Sequence, residues 1–363
     1  MAAAVAETFG RLLAKTLAGA WRCTPPKVDF SELELVRIGP HLLRSGAAPL
    51  SWWRVRHSSL HTSEVANSFR QAYRLNTLQT LIKDAKIQKI FPLLRSAGVE
   101  PILIKGWAVS TYYPERGLRP YGDFDLCVQP GQYRAATSAL ANIDRSQYNI
   151  DLHRGFEKFG NEGFNELYCR SLLIRLGEVE VRVLSREDHF RLICFHLLRE
   201  GAWRPLWLCD IAAMLETTPA DFDWKVCLGT NRQARSVACA ISLAHLLLGA
   251  VIECVPDTAQ LKKIPRWLVP TVLKEWGSLF PTMRLRHGTT MLMHLRETRN
   301  LLQGVRARWP NPIEATVSMN GPFNELPRLP FQLGNCLSRS IAFLAHLPGR
   351  IRHPSSSIAR QRQ

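Results

Sequence analysis

No CxxC pair occurs in this sequence, and no Cys/His spacing in it matches a zinc site. The nine cysteines are scattered, most of them in apolar runs where Cys behaves as a small hydrophobe. An odd count without a framework argues for a reducing compartment, the cytoplasm. Acid is scarce as well. Against 47 Lys plus Arg stand 30 Asp plus Glu, a formal charge of +17, and after Glu325 there is no acid at all. Such a surplus suits polyanionic partners (nucleic acid, nucleotides or anionic headgroups) or simply a solvated basic surface. Long apolar runs free of polar residues are missing too. The opening "MAAAVAETFGRLLAKTLAGAWRC" is interrupted by Glu7, Arg11 and Lys15, so it reads as an amphipathic helix rather than a signal peptide. The most apolar window, "SVACAISLAHLLLGAVIECV", holds His245 and Glu253 and reads as a buried bundle helix, not a transmembrane segment. No internal repeat is present.

What is there fits a globular protein, with 46% hydrophobic and 21% charged residues over a length that allows two or three domains. Residues 1–96 read as an N-terminal helical region. Within it, Leu75, Leu78, Ile82, Ile87, Ile90 and Leu94 recur at helical steps after an N-cap at Ser63, and Gly98 is the stop. From 97 to 185 the pattern becomes that of a small mixed α/β unit. "ILIK" is a buried strand ending at Gly106, "DFDLCV" a second strand, "YNIDLHRGF" a third, and "RSLLIRLGEVEVRVL" two strands joined near Gly177. Residues 186–345 return to helices, opened by Ser185 and Asp188 in an acidic variant of the capping box. Residues 346–363 read as a disordered basic tail. The fold class is therefore α+β.

In a strand, alternate residues share a face, so Asp123 and Asp125 project together while Phe124 and Leu126 face the other way. Two carboxylates side by side repel unless a cation sits between them. Mg²⁺, with Mn²⁺ as the alternative, takes oxygen ligands of this kind together with substrate phosphates.

The order of these parts resembles the nucleotidyltransferase superfamily of DNA polymerase β: strand, glycine turn, helix, DxD strand, and then a further acidic strand carrying Asp151. The stretches "SAGVEPILIKGWAV", "RPYGDFDLCV", "IDLHRGF" and "VRVLSREDHFRLICFHLLREGAWRPLWLCDIAAMLE" occur in the order seen in a bacterial family of uncharacterised nucleotidyltransferases. The resemblance covers residues 65 to 255. It implies a polymerase β-like core flanked by helices, and Mg²⁺-dependent transfer of a nucleoside monophosphate from an NTP, ATP first, to a hydroxyl. Asp123, Asp125 and Asp151 would hold the metal, with Asp151 assisting deprotonation of the hydroxyl. The backbone of Gly106 and Trp107, together with Lys105 and Arg119, would meet the phosphates. Two departures stand out: Trp107 replaces the serine usual beside the glycine, and the gap from Gly106 to Asp123 is long.

Glu180 is the alternative third acid, and His153 shares the face of Asp151. His196 and Asp210, with His189, shape the acceptor side or pack. They could otherwise form the centre of a metal hydrolase, although the chain has no adjacent His-Asp pair. Trp203 and Trp207 read as core or pocket walls rather than base-stacking platforms. The competing reading is a non-catalytic nucleic-acid-binding or regulatory module on the same fold, motivated by the charge.

Overall fold

Five short aliphatic runs form strands: β1 (Ile102–Ile104), β2 (Phe124–Val128), β3 (Ile150–Arg154), β4 (Leu172–Leu176) and β5 (Val179–Val183). This is seen in a computed structural model that describes residues 2–141, 143, 148–156, 163–229, 231–256, 264–278 and 309–352. The strands make one mixed sheet in the order β3-β2-β1-β5-β4. β1 is antiparallel to β2 and parallel to β5, and β2 is parallel to β3. The β4–β5 hairpin turns at Gly177, whose φ of 59° suits glycine.

Helices surround the sheet. Before it come α1 (Ala2–Leu17), α2 (Glu32–Ser45), α3 (Ala48–Val55) and the long α4 (Glu64–Ser96). Among the strands lie α5 (Gly106–Ser110), α6 (Tyr133–Ala141) and α7 (Phe164–Arg170). After it come α8 (Arg186–Arg199), α9 (Pro205–Glu216), α10 (Trp224–Leu228), α11 (Asn231–Leu248), α12 (Leu268–Trp276), α13 (Pro312–Ser318) and α14 (Leu329–Arg352). The architecture is thus α+β, with a mixed sheet set among helices. Ser63 caps α4 by accepting from the Ala66 N–H, and Ser185 caps α8 by accepting from the Asp188 N–H at 3.2 Å.

The two faces of the sheet serve different cores. Leu103, Phe124, Leu126 and Val183 pack against Ile90 and Phe91 of α4. Ile102, Ile104 and Cys127 join the other core, built by helices from both ends of the chain. Each fully buried Leu or Phe in these cores contributes about 2 kcal/mol. There α1 crosses α12 at close range: a Cβ on Gly10 would lie 2.0 Å from the Leu273 carbonyl oxygen. Only a glycine lets the two backbones approach so far.

Two expectations change on folding. The apolar stripe of α4 divides. Ile87, Ile90 and Leu94 are buried, but Leu75, Leu78 and Ile82 face solvent. The buried positions there are Asn76 and Thr80, because that face meets the turn Arg116–Leu118, where Asn76 Nδ2 donates to the Gly117 carbonyl at 2.6 Å. α14 runs on to Arg352, past the expected start of the tail at 346, and residues 353–363 lie outside those described. Part of the helical region expected over 186–345, residues 257–263 and 279–308, lies outside them as well. α11 ends at Leu248, where Gly249 adopts φ 67°, and no described helix is long and apolar enough to cross a membrane.

Candidate metal and nucleotide site

The register builds the site. Asp125 of β2 stands opposite Ile104 on one side and Asp151 of β3 on the other. Alternation along β3 puts His153 on the same face as Asp151. His153 Nε2 lies 2.9 Å from Asp125 Oδ1 and 3.3 Å from Asp151 Oδ2. Among the described residues these three form the one group able to hold a metal ion, with their ligand atoms all within 4.8 Å of one another. Two carboxylates and an imidazole converging at this spacing suit a divalent cation.

Lys105 closes the site from β1. Its Nζ donates to Asp125 Oδ1 at 2.8 Å, and its backbone N–H donates to His189 Nε2 at 3.1 Å. The sequence points to Gly106 as the special residue of this turn. In the structure the left-handed backbone falls on Lys105, with φ 55° and ψ −129°. A side-chain-bearing residue held there costs about 1–3 kcal/mol. Gly106 serves a different need, since a Cβ on it would sit 3.0 Å from Tyr121 Cβ. Lys105→Ala and Lys105→Gly both remove the ammonium, but only Gly relieves the backbone. The Gly variant is expected to be the more stable by about 1–2 kcal/mol in urea denaturation. Equal midpoints would mean that the turn holds no strain.

The two acids of the DxD differ in environment. Burial alone would raise the pKa of Asp125. The hydrogen bond from His153 and the Lys105 ammonium outweigh it and hold the carboxyl below its ordinary value. Asp123 precedes β2, so strand alternation does not fix its side chain, and it lies at the solvent-exposed rim outside the clustered trio. Crowding by protein atoms, then the like charge of Asp125, raises its pKa. Asp151 is also a neighbouring like charge. Expected as a direct metal ligand, Asp123 instead stands beside the cluster, close enough to feel both of its carboxylates.

Arg119 differs from its expected place as a phosphate arm. It is buried, and its Nη2 donates to Asp210 Oδ2 at 2.6 Å while Nε donates to Oδ1 at 3.1 Å. Tyr113 donates to the same Oδ1 at 2.7 Å. Asp210, fully buried on α9, is therefore an ion-pair anchor. The hydrolase centre imagined for His196 and Asp210 is not assembled. Trp107 points its ring into the α4 core, where Nε1 donates to Asp84 at 3.0 Å, leaving only its backbone near the turn. Glu180 lies on β5, with β1 between it and β2, and pairs in register with Arg175. The register thus brings Asp151, not Glu180, beside Asp125.

The helices after the sheet supply the opposite wall. His189 on α8 is held neutral, its pKa pushed from 6.5 to about 3 by burial and by Arg119 and Lys105. His196, two turns further along the same face of α8, is pushed down by burial and then by Lys105. Its Nδ1 has no hydrogen-bond partner among the described residues. Trp207 lies edge-on to His196 at 4.6 Å, and Trp203 to Trp207 at 5.4 Å.

Sequence reasoning missed Lys83 and Arg204. Lys83, from α4, donates to the Tyr121 carbonyl and is drawn by the charge of Asp123. Arg204, at the α8–α9 corner, is lowered to about 10 by burial and by Arg119, against the pull of Asp210 and Asp123, and donates to the Ser45 carbonyl at 2.6 Å. "GAWRPLW", a cation between two Trp at a helix junction, was the available signal for Arg204. Lys83 had none, being one of several lysines on a helix.

A sequence model described as an uncharacterised nucleotidyltransferase matches residues 43–249. No curated protein and no solved structure matches the chain.

Proposed function

Because this chain belongs to the uncharacterised nucleotidyltransferase family, we propose that it moves a nucleoside monophosphate from an NTP, ATP first, to an acceptor hydroxyl. The observation that carries this reading is the Asp125–Asp151–His153 cluster beside Lys105 on the rim of a mixed sheet. Asp125 and Asp151 hold a divalent cation, Mg²⁺ or Mn²⁺, with Asp123 at the rim completing its charge. Bound there, the cation supplies charge neutralisation for the triphosphate and for the oxygens that become negative during transfer. Lys105 exchanges Asp125 for a phosphate oxygen, and the backbone at Gly106 and Trp107 faces the same phosphates. Asp151, half-exposed at 46%, accepts the proton of the acceptor hydroxyl. Arg119 acts as a fixed positive charge behind Asp125. His196, Trp203, Arg204 and Trp207 form the acceptor-side wall.

The acceptor is a small molecule, a protein or an RNA end. The nine cysteines all stand as free thiols, which supports a cytoplasmic setting. The net charge of +17 favours a second reading, a nucleic-acid-binding or regulatory module on the same fold. Label transfer separates the two. The protein is incubated with the divalent cation, each NTP labelled at the α-phosphate, and a lysate as acceptor pool, with γ-labelled ATP in parallel. Label from the α position alone supports nucleotidyl transfer. No transfer from any NTP, with salt-sensitive nucleic-acid binding that survives Asp123→Asn/Asp125→Asn, moves the assignment to the binding module.

A further inference from the structure

We propose that the cation seat is a mixed nitrogen–oxygen site in which His153 Nε2 is a direct ligand beside Asp125 and Asp151, and that it selects Mn²⁺ over Mg²⁺. This rests on the reading of Asp125 and Asp151 as a cation clamp and goes beyond it in making His153 Nε2 a direct ligand of the ion and in choosing between the two ions.

The separations carry the inference. Neighbouring ligands of an octahedral ion at about 2.1 Å from it lie about 3 Å apart. His153 Nε2 is 2.9 Å from Asp125 Oδ1 and 3.3 Å from Asp151 Oδ2, so the nitrogen already stands about one ligand spacing from an oxygen of each carboxylate, and the ligand atoms of all three residues lie within 4.8 Å of one another. The nitrogen is placed by regular strand structure and not by a loop. His153 pairs in register with Cys127, and its ring is 9% exposed, which restricts it to few orientations. Mg²⁺ prefers oxygen and retains its waters, whereas imidazole nitrogen suits the transition-series ions. Mn²⁺ is the hardest and most oxygen-preferring of those ions, but unlike Mg²⁺ it also takes nitrogen, so of the two ions a buried imidazole at a ligand position favours Mn²⁺. Lys105 Nζ, 2.8 Å from the same Asp125 oxygen, holds a positive charge at the seat in the protein alone. An arriving ion displaces it from that oxygen and takes the Nε2 lone pair, the proton that Nε2 shares with Asp125 in the protein alone moving to Nδ1 through solvent.

The test uses Mn²⁺ alone with the full chain. Its binding is titrated by electron paramagnetic resonance, and the nuclei coupled to it are read by pulsed methods. The expected spectrum shows directly bound ¹⁴N, which changes to the ¹⁵N pattern in protein grown with ¹⁵N-histidine. His153→Gln removes the nitrogen coupling, and His196→Gln retains it. Mn²⁺ binds at least about tenfold more tightly than Mg²⁺, and that ratio collapses in His153→Gln. Mn²⁺ binding that needs Asp125 but shows no nitrogen coupling overturns the proposal and leaves the carboxylate clamp and nucleotidyl transfer standing. Equal affinities for the two ions also overturn it. No Mn²⁺ binding at millimolar concentration overturns the proposal and the clamp together. If His153→Gln does not fold, the isotope comparison in the unmodified protein still decides.

Discussion

If the chain transfers nucleotides as proposed, Asp125→Asn is expected to lower label transfer from α-labelled NTP by at least about a thousandfold, a rise of about 4 kcal/mol in the activation barrier, and transfer at the unmodified rate would remove Asp125 from the site. The substitution takes away the carboxylate to which His153 and Lys105 both reach, so the cation and the Lys105 arm lose their common anchor. It is also expected to lower stability, since the Lys105 ammonium, on a side chain only 12% exposed, is left beside a neutral amide. Asp125 is held below its ordinary pKa in the fold. Its stabilising contribution is therefore present above the unfolded carboxyl range and is lost as pH falls through the folded value.

Asp123→Asn separates the two effects. Asp123 is held above its ordinary pKa, by crowding first and by Asp125 second. The folded state thus binds more protons there than the unfolded chain, and stability falls as pH rises through the folded value. Removing that charge is expected to raise the urea midpoint at neutral pH while transfer drops. The gain should fade as the solution is acidified. An Asp123→Asn enzyme that melts earlier at pH 7, or transfers label at the unmodified rate, would show that Asp123 is not part of a strained anionic site.

Asp210→Ala destabilises the protein by about 3–5 kcal/mol, the range for breaking a buried ion pair from one side. The carboxylate is fully buried and accepts from Arg119 through two nitrogens and from Tyr113. Without it, Arg119 keeps a charge with almost no access to water, and the Tyr113 hydroxyl loses its acceptor. Replacing both partners, as in Arg119→Met/Asp210→Leu, is expected to cost less than Asp210→Ala, because no lone charge remains. Chemical denaturation of the three proteins measures this. A loss under about 1 kcal/mol for Asp210→Ala would mean that water reaches Arg119 freely. The pair also tethers the segment between α5 and β2 to α9, so both variants should raise KM for the NTP in the label-transfer assay.

Much of this site was legible before folding. The runs "ILIK" and "DFDLCV" identify strands by their aliphatic content, and period-two alternation assigns Phe124 and Leu126 to one face and Asp125 to the other. Asp151 followed from its strand and from the order of motifs. Ser63 and Ser185 followed from local capping chemistry, which needs only a few consecutive residues. Arg119 was misplaced because its partner, Asp210, lies 91 residues away and nothing local announces the pair. The exposed Leu75, Leu78 and Ile82 were read as core because helical periodicity reports a stripe without saying what covers it.

The sequence by itself determined the strands, the helices and the face of β2 on which Asp125 stands, since each depends on neighbours within a few residues. Only the tertiary structure decided which acids meet. Asp125 stands opposite Asp151 because β2 and β3 run parallel in that register, and one residue of slip would turn the acid to the other face. The same register carried His153 into the cluster. In the turn after β1, Lys105 holds its positive φ while His189, 84 residues on in α8, accepts its N–H. Contacts between residues far apart in the chain set both, and their free energy appears only when the whole core closes around them.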